Sequence, residues 1–491
     1  MLIGNLAMSR LPLALALAVC APLSASAADM PTDLEARLRA VLARPALEGT
    51  RWGLRVEDKD GHVLASIAPD ERFQPASNTK IFTTTAVFDA MTRGPFPNFG
   101  TQVRLEKGAH HRRNVVLVGR GDAQLRDAPD CQRDCLAQLA DAVKAAHVRR
   151  VGDVIGDDSF MPLERWTISD RLRPGTRMVP SALTLNDNEV AITVIPALTA
   201  GSPPTAAMPD LAPEVALINN VATGPGDSRA EIHAEIVPGQ RAIRLFGSVP
   251  AGGRTQHLSF DVDDPADFAA IRLARLLRAR GIRVKGVARP RHAPLTSAAM
   301  QGTPALPEAP ALASLTPPDT LEDLKLTTKV SQNLHAHLFL RKLAVAEGKV
   351  GTTPAGLITL RKVLDKAGLP PSSYDFYDGS GLSPDNRITP RAMVRYLHWV
   401  DRQPWVAQWR EGLPIGGVDG TLARRMRGAP LAGHVFAKTG TLLAANALAG
   451  YLTAASGQEL VFAIYANDRP SPAPSVLPTM DEALAIIASA N

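Results

Sequence analysis

Regular patterns of apolar and polar positions cluster near the two ends of this chain, with a long, less regular section between them. Leu34, Leu38, Val41 and Leu42 recur at helical spacing and predict a helix over Leu34 to Leu42. Trp52 to Glu57 and His62 to Ile67 are strand-like runs on either side of Lys59-Asp60-Gly61 and read as a hairpin. An apolar run opening at Ile81 predicts a second helix directly behind it. Near the other end, His434 to Thr439, Ala447 to Leu452 and Glu459 to Tyr465 read as three successive strands, and Met480 to Ala488 as a helix. Two early strands and three late ones predict one antiparallel sheet covered by helices, an α/β (α+β) class in the broad sense.

The middle section is far longer than one compact catalytic domain requires. Asn114 to Val118 and Ala242 to Phe246 read as strands, and a helix from Phe268 to Arg280 leads into Gly281 to Gly286. Pro/Ala-rich stretches from Pro196 to Pro213 and from Pro290 to Pro318 punctuate it. No repeat of firm period is present, so the section reads as inserted domain material.

Composition adds limits. The first residues carry an apolar run, Leu11 to Val19, followed by Ala25-Ser26-Ala27, the pattern of a secretory signal peptide cleaved after Ala27. That predicts an extracytoplasmic protein, periplasmic in location. Cys20 is a weak candidate for lipidation, since Val19 is a poor residue just before it. The 45% hydrophobic content is ordinary for a globular chain, and the formal charge of +6 is too small and dispersed to argue for nucleic acid. A mildly basic surface suits an anionic cell envelope and leaves weak association with the membrane surface or cell wall open; oligomeric state is not legible. Cys131 and Cys135 are expected to form a disulfide, in a turn rather than inside a helix. No metal site and no cofactor are expected, because two sulfurs without a second spaced pair do not make a zinc ligand set.

The candidate chemistry lies at Ser77-Asn78-Thr79-Lys80. Serine and lysine three apart at a helix start project from one face. A serine hydroxyl becomes a usable nucleophile beside a base, and a lysine amine becomes a base when burial or a neighbouring cation lowers its pKa. Downstream stand Ser331-Gln332-Asn333 and Lys438-Thr439-Gly440-Thr441. Ser-x-x-Lys, Ser-x-Asn and Lys-Thr-Gly in this order are the motif set of penicillin-binding proteins and β-lactamases. Lys438, on a strand facing the Ser77 helix, is expected to bind a carboxylate and to help depress the pKa of Lys80. Gly440 is expected to let a ligand lie close along that strand.

Gly119-Arg120-Gly121-Asp122, Gly156-Asp157-Asp158-Ser159-Phe160, Ser181 to Asn188, Asp378-Gly379-Ser380-Gly381-Leu382-Ser383 and Gly420-Thr421-Leu422 extend the likeness over nearly the whole chain. With the three motifs, they resemble the D-alanyl-D-alanine carboxypeptidase/endopeptidase family of low-molecular-mass class C penicillin-binding proteins. The resemblance implies a penicillin-recognising catalytic domain split around two nested insertions. The implied layout is a signal peptide at 1–27, catalytic domain at 28–93 and 300–491, inserted domain II at 94–185 and 266–299, and inserted domain III at 186–265. It also implies hydrolysis of D-Ala-D-Ala termini and D-amino-acid cross-links of peptidoglycan stem peptides through an acyl-enzyme on Ser77, and acylation by β-lactam antibiotics. Lys80 is the implied base and Ser331 the implied proton relay. Asn333 holds the substrate amide, Lys438, Thr439 and Thr441 bind the carboxylate, and the backbone N–H groups of Ser77 and Thr441 form the oxyanion hole. Asp157 is implied to reach back from the insertion to a diaminopimelate amine, while the residues alone equally permit an aspartate capping its own turn.

Plainer readings hold elsewhere. Asp378-Gly379-Ser380-Gly381 reads as a structural turn near the site and Asp187-Asn188 as a loop anchor. The chain has no Gly-x-Ser-x-Gly elbow, which argues against a Ser-His-Asp hydrolase and leaves the histidines unneeded. A β-lactamase would share the three motifs but would need a dedicated deacylating base and no long insertion. A non-catalytic peptidoglycan-binding protein would have lost motif residues that are intact here.

Overall fold

The two ends of the chain meet in one five-stranded sheet. Across it run Val435–Thr441, Asn446–Thr453, Glu459–Asn467, Arg51–Asp58 and Val63–Ile67, every pair antiparallel. The structure, a computed structural model, describes residues 33–164, 178–296, 310–472 and 474–491; the expected signal peptide lies outside them. The central strand shows why these segments are apolar without alternation. Val461, Ala463 and Tyr465 enter one core, while Leu460, Phe462, Ile464 and Ala466 enter another on the opposite face. Helices cover both faces, so each side chain of the strand after Glu459 is buried and polar alternation disappears. The outer layer is Asp33–Leu42 packed with Leu477–Ala490.

On the other face lies the helix Thr79–Met91, buried from Thr79 to Ala90. A helix buried all round needs an apolar surface or satisfied polar groups. Its four threonines are satisfied: Thr79 Oγ1 donates to the Ala76 carbonyl at 2.9 Å, Thr83 Oγ1 to the Gly379 carbonyl at 2.7 Å, Thr84 Oγ1 to the Lys80 carbonyl at 2.7 Å, and Thr85 Oγ1 to the Ile81 carbonyl at 2.6 Å. Ser77 itself sits in a single 3₁₀ turn, Ala76–Asn78, that feeds this helix, and not in the α-helix as the pattern predicts. The tighter winding keeps positions three apart in register, so Ser77 and Lys80 remain on one face.

The inserted material builds a mixed five-stranded sheet in the order Ala288–Arg291, Val154–Asp157, Arg113–Val118, Gln102–Lys107, Ala313–Ser314. Ala313–Ser314 pairs with Gln102–Val103, so the sheet reaches past the boundary implied at residue 299. Two three-stranded sheets lie further out, Glu231–Ile236 with Ala242–Pro250 and Ala216–Gly224, and Gln256–Asp261 with Glu189–Ile195 and Thr205–Ala207. One continuous apolar core, from Val103 and Leu139 through Ile192 and Leu245 to Phe268, runs through all of them. The helix in this region spans Pro265–Ala279, starting earlier than its apolar pattern because Asp264 caps it, accepting from the Asp267 N–H at 3.1 Å. Cys131 and Cys135 are joined by a disulfide in the turn before the helix Leu136–Ala145, with Cα atoms 5.8 Å apart.

Charged groups tie the insertion to the catalytic core. Arg341, fully buried on the helix Asn333–Ala346, donates to the carbonyls of Gly351 at 2.9 Å, Pro180 at 3.2 Å and Pro162 at 2.6 Å. Two residues after Asn333, His335 bridges Asp187 of the insertion at 2.9 Å and Asp323 of the helix Thr320–Lys329 at 2.5 Å. Arg126 completes the group by donating to Asp187 at 2.9 Å.

Candidate active site

Three separate segments bring their motif side chains together at the Ala76–Asn78 turn. Lys80 Nζ lies 2.9 Å from Ser77 Oγ, 2.7 Å from Asn333 Oδ1 and 2.6 Å from the carbonyl oxygen of Ser380. Across the cleft, Lys438 Nζ donates to Ser331 Oγ at 2.8 Å and to the Thr439 carbonyl at 2.8 Å. Ser77, Ser331 and Asn333 are partly open to solvent, whereas both lysines are fully buried. The amines are inside and the oxygens are at the mouth.

Backbone geometry holds this in place. Ala76 has φ +45° and Ser331 has φ +64°, left-handed values that residues with a Cβ rarely adopt. The turn is braced against the sheet by Asn78, whose Nδ2 donates to the Lys438 carbonyl at 2.7 Å. Gly440 serves the same contact. A Cβ there would lie 2.5 Å from the Pro75 carbonyl and 3.1 Å from Ala76 Cβ, so glycine lets the strand approach the Ser77 turn. Thr439 Oγ1 pairs with Thr421 Oγ1 at 2.7 Å, and Thr441, exposed at the strand end, accepts from Asn446 Nδ2 at 3.2 Å.

Burial governs the charges. It pushes the Lys80 amine down to about 7, against the opposing pull of the Asp378 carboxylate. It also pushes Lys438 well below the usual lysine range, with repulsion from Lys80 adding to the effect. The depression at Lys80 therefore comes from desolvation, without the help expected from Lys438, and the repulsion between the amines is felt at Lys438. A near-neutral amine 2.9 Å from a hydroxyl can take its proton at neutral pH, and a second amine, protonated and with the Ser331 hydroxyl beside it, can hold a carboxylate.

Asp157 is not brought into this group. Its Oδ1 accepts from the Ser159 N–H at 3.0 Å and the Ser159 hydroxyl at 2.6 Å, and its Oδ2 from Arg291 at 3.0 Å. Both oxygens are engaged within the insertion, the turn-capping alternative, because the strand Val154–Asp157 ends in a tight turn that Ser159 closes. Conversely, the pattern missed two contributors. Asp378-Gly379-Ser380, part of the family likeness but read as no more than a structural turn near the site, lies against Lys80 through the Ser380 carbonyl. Thr421 was legible only as part of Gly420-Thr421-Leu422.

A buried lysine beside a serine, hydrogen-bonded among the described residues to no histidine, is the kind of site a serine hydrolase uses to form an acyl-enzyme. The chain belongs to the D-Ala-D-Ala carboxypeptidase 3 (S13) family, whose model matches residues 34–490. It is accordingly a serine-type hydrolase of the carboxypeptidase, penicillin-binding class. It is 33% identical over 464 residues to a D-alanyl-D-alanine carboxypeptidase of Actinomadura sp. (strain R39), covering 90% of this chain and 82% of that protein. It is 24% identical over 476 residues to penicillin-sensitive carboxypeptidase A of Dictyostelium discoideum, covering 89% and 87%. The crystal structure of penicillin-binding protein 4 (dacB) from Haemophilus influenzae superimposes with a TM-score of 0.78 at 21% identity, over 93% of this chain and 98% of that one, and shares its fold.

Proposed function

We propose that the chain hydrolyses D-Ala-D-Ala termini and D-amino-acid cross-links of peptidoglycan, and that β-lactams acylate it at the same serine. The observation carrying this is the hydrogen-bonded set Ser77, Lys80 and Asn333, with an amine that burial brings near neutrality. Neutral Lys80 takes the Ser77 hydroxyl proton as Ser77 Oγ attacks the carbonyl carbon between the two D-alanines. The oxyanion is held by the N–H groups of Ser77 and Thr441. As the C–N bond breaks, Ser331 relays to the leaving amine the proton that Lys80 took from Ser77, and Lys438, 2.8 Å from Ser331 Oγ, holds that hydroxyl in place. Asn333 Oδ1 is occupied by Lys80, so Asn333 turns its Nδ2 toward the substrate amide carbonyl. Lys438, Thr439 and Thr441 take the terminal carboxylate, and water then hydrolyses the ester on Ser77.

The Cys131–Cys135 disulfide supports an oxidising, extracytoplasmic compartment, in line with a cleaved signal peptide and a periplasmic enzyme. Among the described residues no helix is long and apolar enough to cross a membrane. Intact-protein mass spectrometry after exposure to penicillin tests the reading. One adduct on Ser77 is expected, and none in Ser77→Ala; an adduct that persists in the variant removes Ser77 from the role.

A further inference from the structure

Asp378 lies in a loop that reads as a turn, yet its carboxylate is completely buried and organises everything around it. Oδ2 accepts from Ser380 Oγ at 2.8 Å and from the N–H groups of Leu382 at 3.0 Å and Ser383 at 3.1 Å. Oδ1 accepts from the Gly381 N–H at 2.8 Å and from Asn386 Nδ2 at 2.7 Å. These donors all come from residues 380–386, so the loop is curled around one acid.

The curled loop is pressed against the nucleophile segment at four successive places. Gly381, at φ +88°, comes so near that a Cβ would lie 1.9 Å from the Ala76 carbonyl. Asn386 Nδ2 also reaches Thr79 Oγ1 at 3.3 Å, Ser380 gives its carbonyl to Lys80, and Gly379 gives its carbonyl to Thr83. Ala76, Thr79, Lys80 and Thr83 all face this side of the segment. The Ser380 carbonyl is the contact that aims Lys80 Nζ, since it and Asn333 Oδ1 fix the amine while the third contact is Ser77 itself.

We propose that Asp378 is a positioning residue for acylation: through the Ser380 carbonyl it aims Lys80 at Ser77. The inference rests on the reading of Lys80 as the base. Other charged groups face the pair from each packed element. Lys438 approaches from the strand Val435–Thr441, and His337 and Arg341 stand on the helix Asn333–Ala346, with Glu164 behind them. Burial pushes His337 down to about 4, so it stays neutral through the range in which Lys80 titrates.

Asp378 favours the protonated amine, and only the neutral amine can accept the Ser77 proton. Removing the charge therefore lowers the proton affinity of Lys80 and extends activity to more acid solution, while loosening the loop slows the reaction everywhere.

The test is the second-order acylation rate with labelled penicillin, followed from about pH 5 to about pH 9 in the full chain. Asp378→Asn is expected to lower the plateau rate by roughly tenfold and to move the acid limb down by about half a unit or more. Asn386→Ala removes one hydrogen bond and leaves the charge, so it should lower the plateau by roughly threefold with the limb at its wild-type position. An acid limb unmoved in Asp378→Asn overturns the electrostatic role. Should that variant fail to fold, a wild-type plateau in Asn386→Ala overturns the positioning role. Lys80→Met acylating at the wild-type rate would instead sink the reading of Lys80 as base, an outcome distinct from either.

Discussion

Two basic side chains, Lys80 in the cleft and His335 at the seam with the insertion, are both buried, and they are shifted in opposite directions. Lys80 has a hydroxyl, an amide oxygen and a carbonyl for company, and burial pushes it down to about 7. At His335 burial also opposes the charge, but Asp323 and Asp187 lie on its two ring nitrogens and outweigh it, raising it to about 9. Desolvation is common to both sites; the sign is decided by whether carboxylates touch the group. Neutral acceptors leave a base ready for work, and carboxylates turn the same burial into a permanent charged brace.

The largest expected effect breaks the comparison at the cleft. Lys80→Met should lower acylation by roughly 10²- to 10⁴-fold, the range of a positioned general base, while stability holds or rises because no buried amine remains. Acylation kinetics and a denaturation curve on one preparation check both halves. Next is the seam. His335→Ala strands two carboxylates opposite one another and should destabilise the fold by about 3–5 kcal/mol, shown as a lower denaturation midpoint. An unchanged midpoint would mean that the brace carries no weight.

Proton linkage sharpens the contrast. His335 is raised from 6.5 to about 9, so its stabilisation, roughly 3 kcal/mol, is complete below the unfolded value and is lost as pH climbs through about 9. Lys80 is lowered from 10.5 to about 7, so between these values the unfolded chain binds the extra proton and stability rises with pH. The two slopes oppose one another in wild type. In Lys80→Met the alkaline loss of stability should steepen, and in His335→Ala it should flatten or reverse, as read from denaturation midpoints across the range. Over the same interval, wild-type acylation should rise through about pH 7 as Lys80 loses its proton. The smallest expected effect concerns Asp157, held by Ser159 and Arg291 inside the insertion. Asp157→Asn should change hydrolysis of free-amine and N-acylated peptides by the same factor, below about threefold; a selective loss on the free amine would return Asp157 to the substrate.

Much of this was legible in the chain. The strands of the catalytic sheet and the helix Thr79–Met91 announced themselves because apolar periodicity is a local property. Ser77, Lys80, Ser331, Asn333 and Lys438 stood out through spacing that side-chain reach imposes. Asp378 did not, because an acid in a Gly-Ser-Gly turn has the same local pattern whether it caps a surface loop or sits buried beside a catalytic lysine. His335 was passed over for a like reason: its partners, Asp187 and Asp323, are remote in sequence, and only the fold makes them neighbours.

By itself the sequence determined the reaction class and the side chains able to perform it, since those depend on residue type and short-range spacing. The tertiary structure decided which groups meet and how much water they keep. It placed Gly440 against the Ser77 turn, kept Asp157 inside the insertion, and set Asp378 behind Lys80. The physical reason is that desolvation and Coulomb interactions act through space, between segments that chain order leaves far apart, and a linear pattern contains no distances.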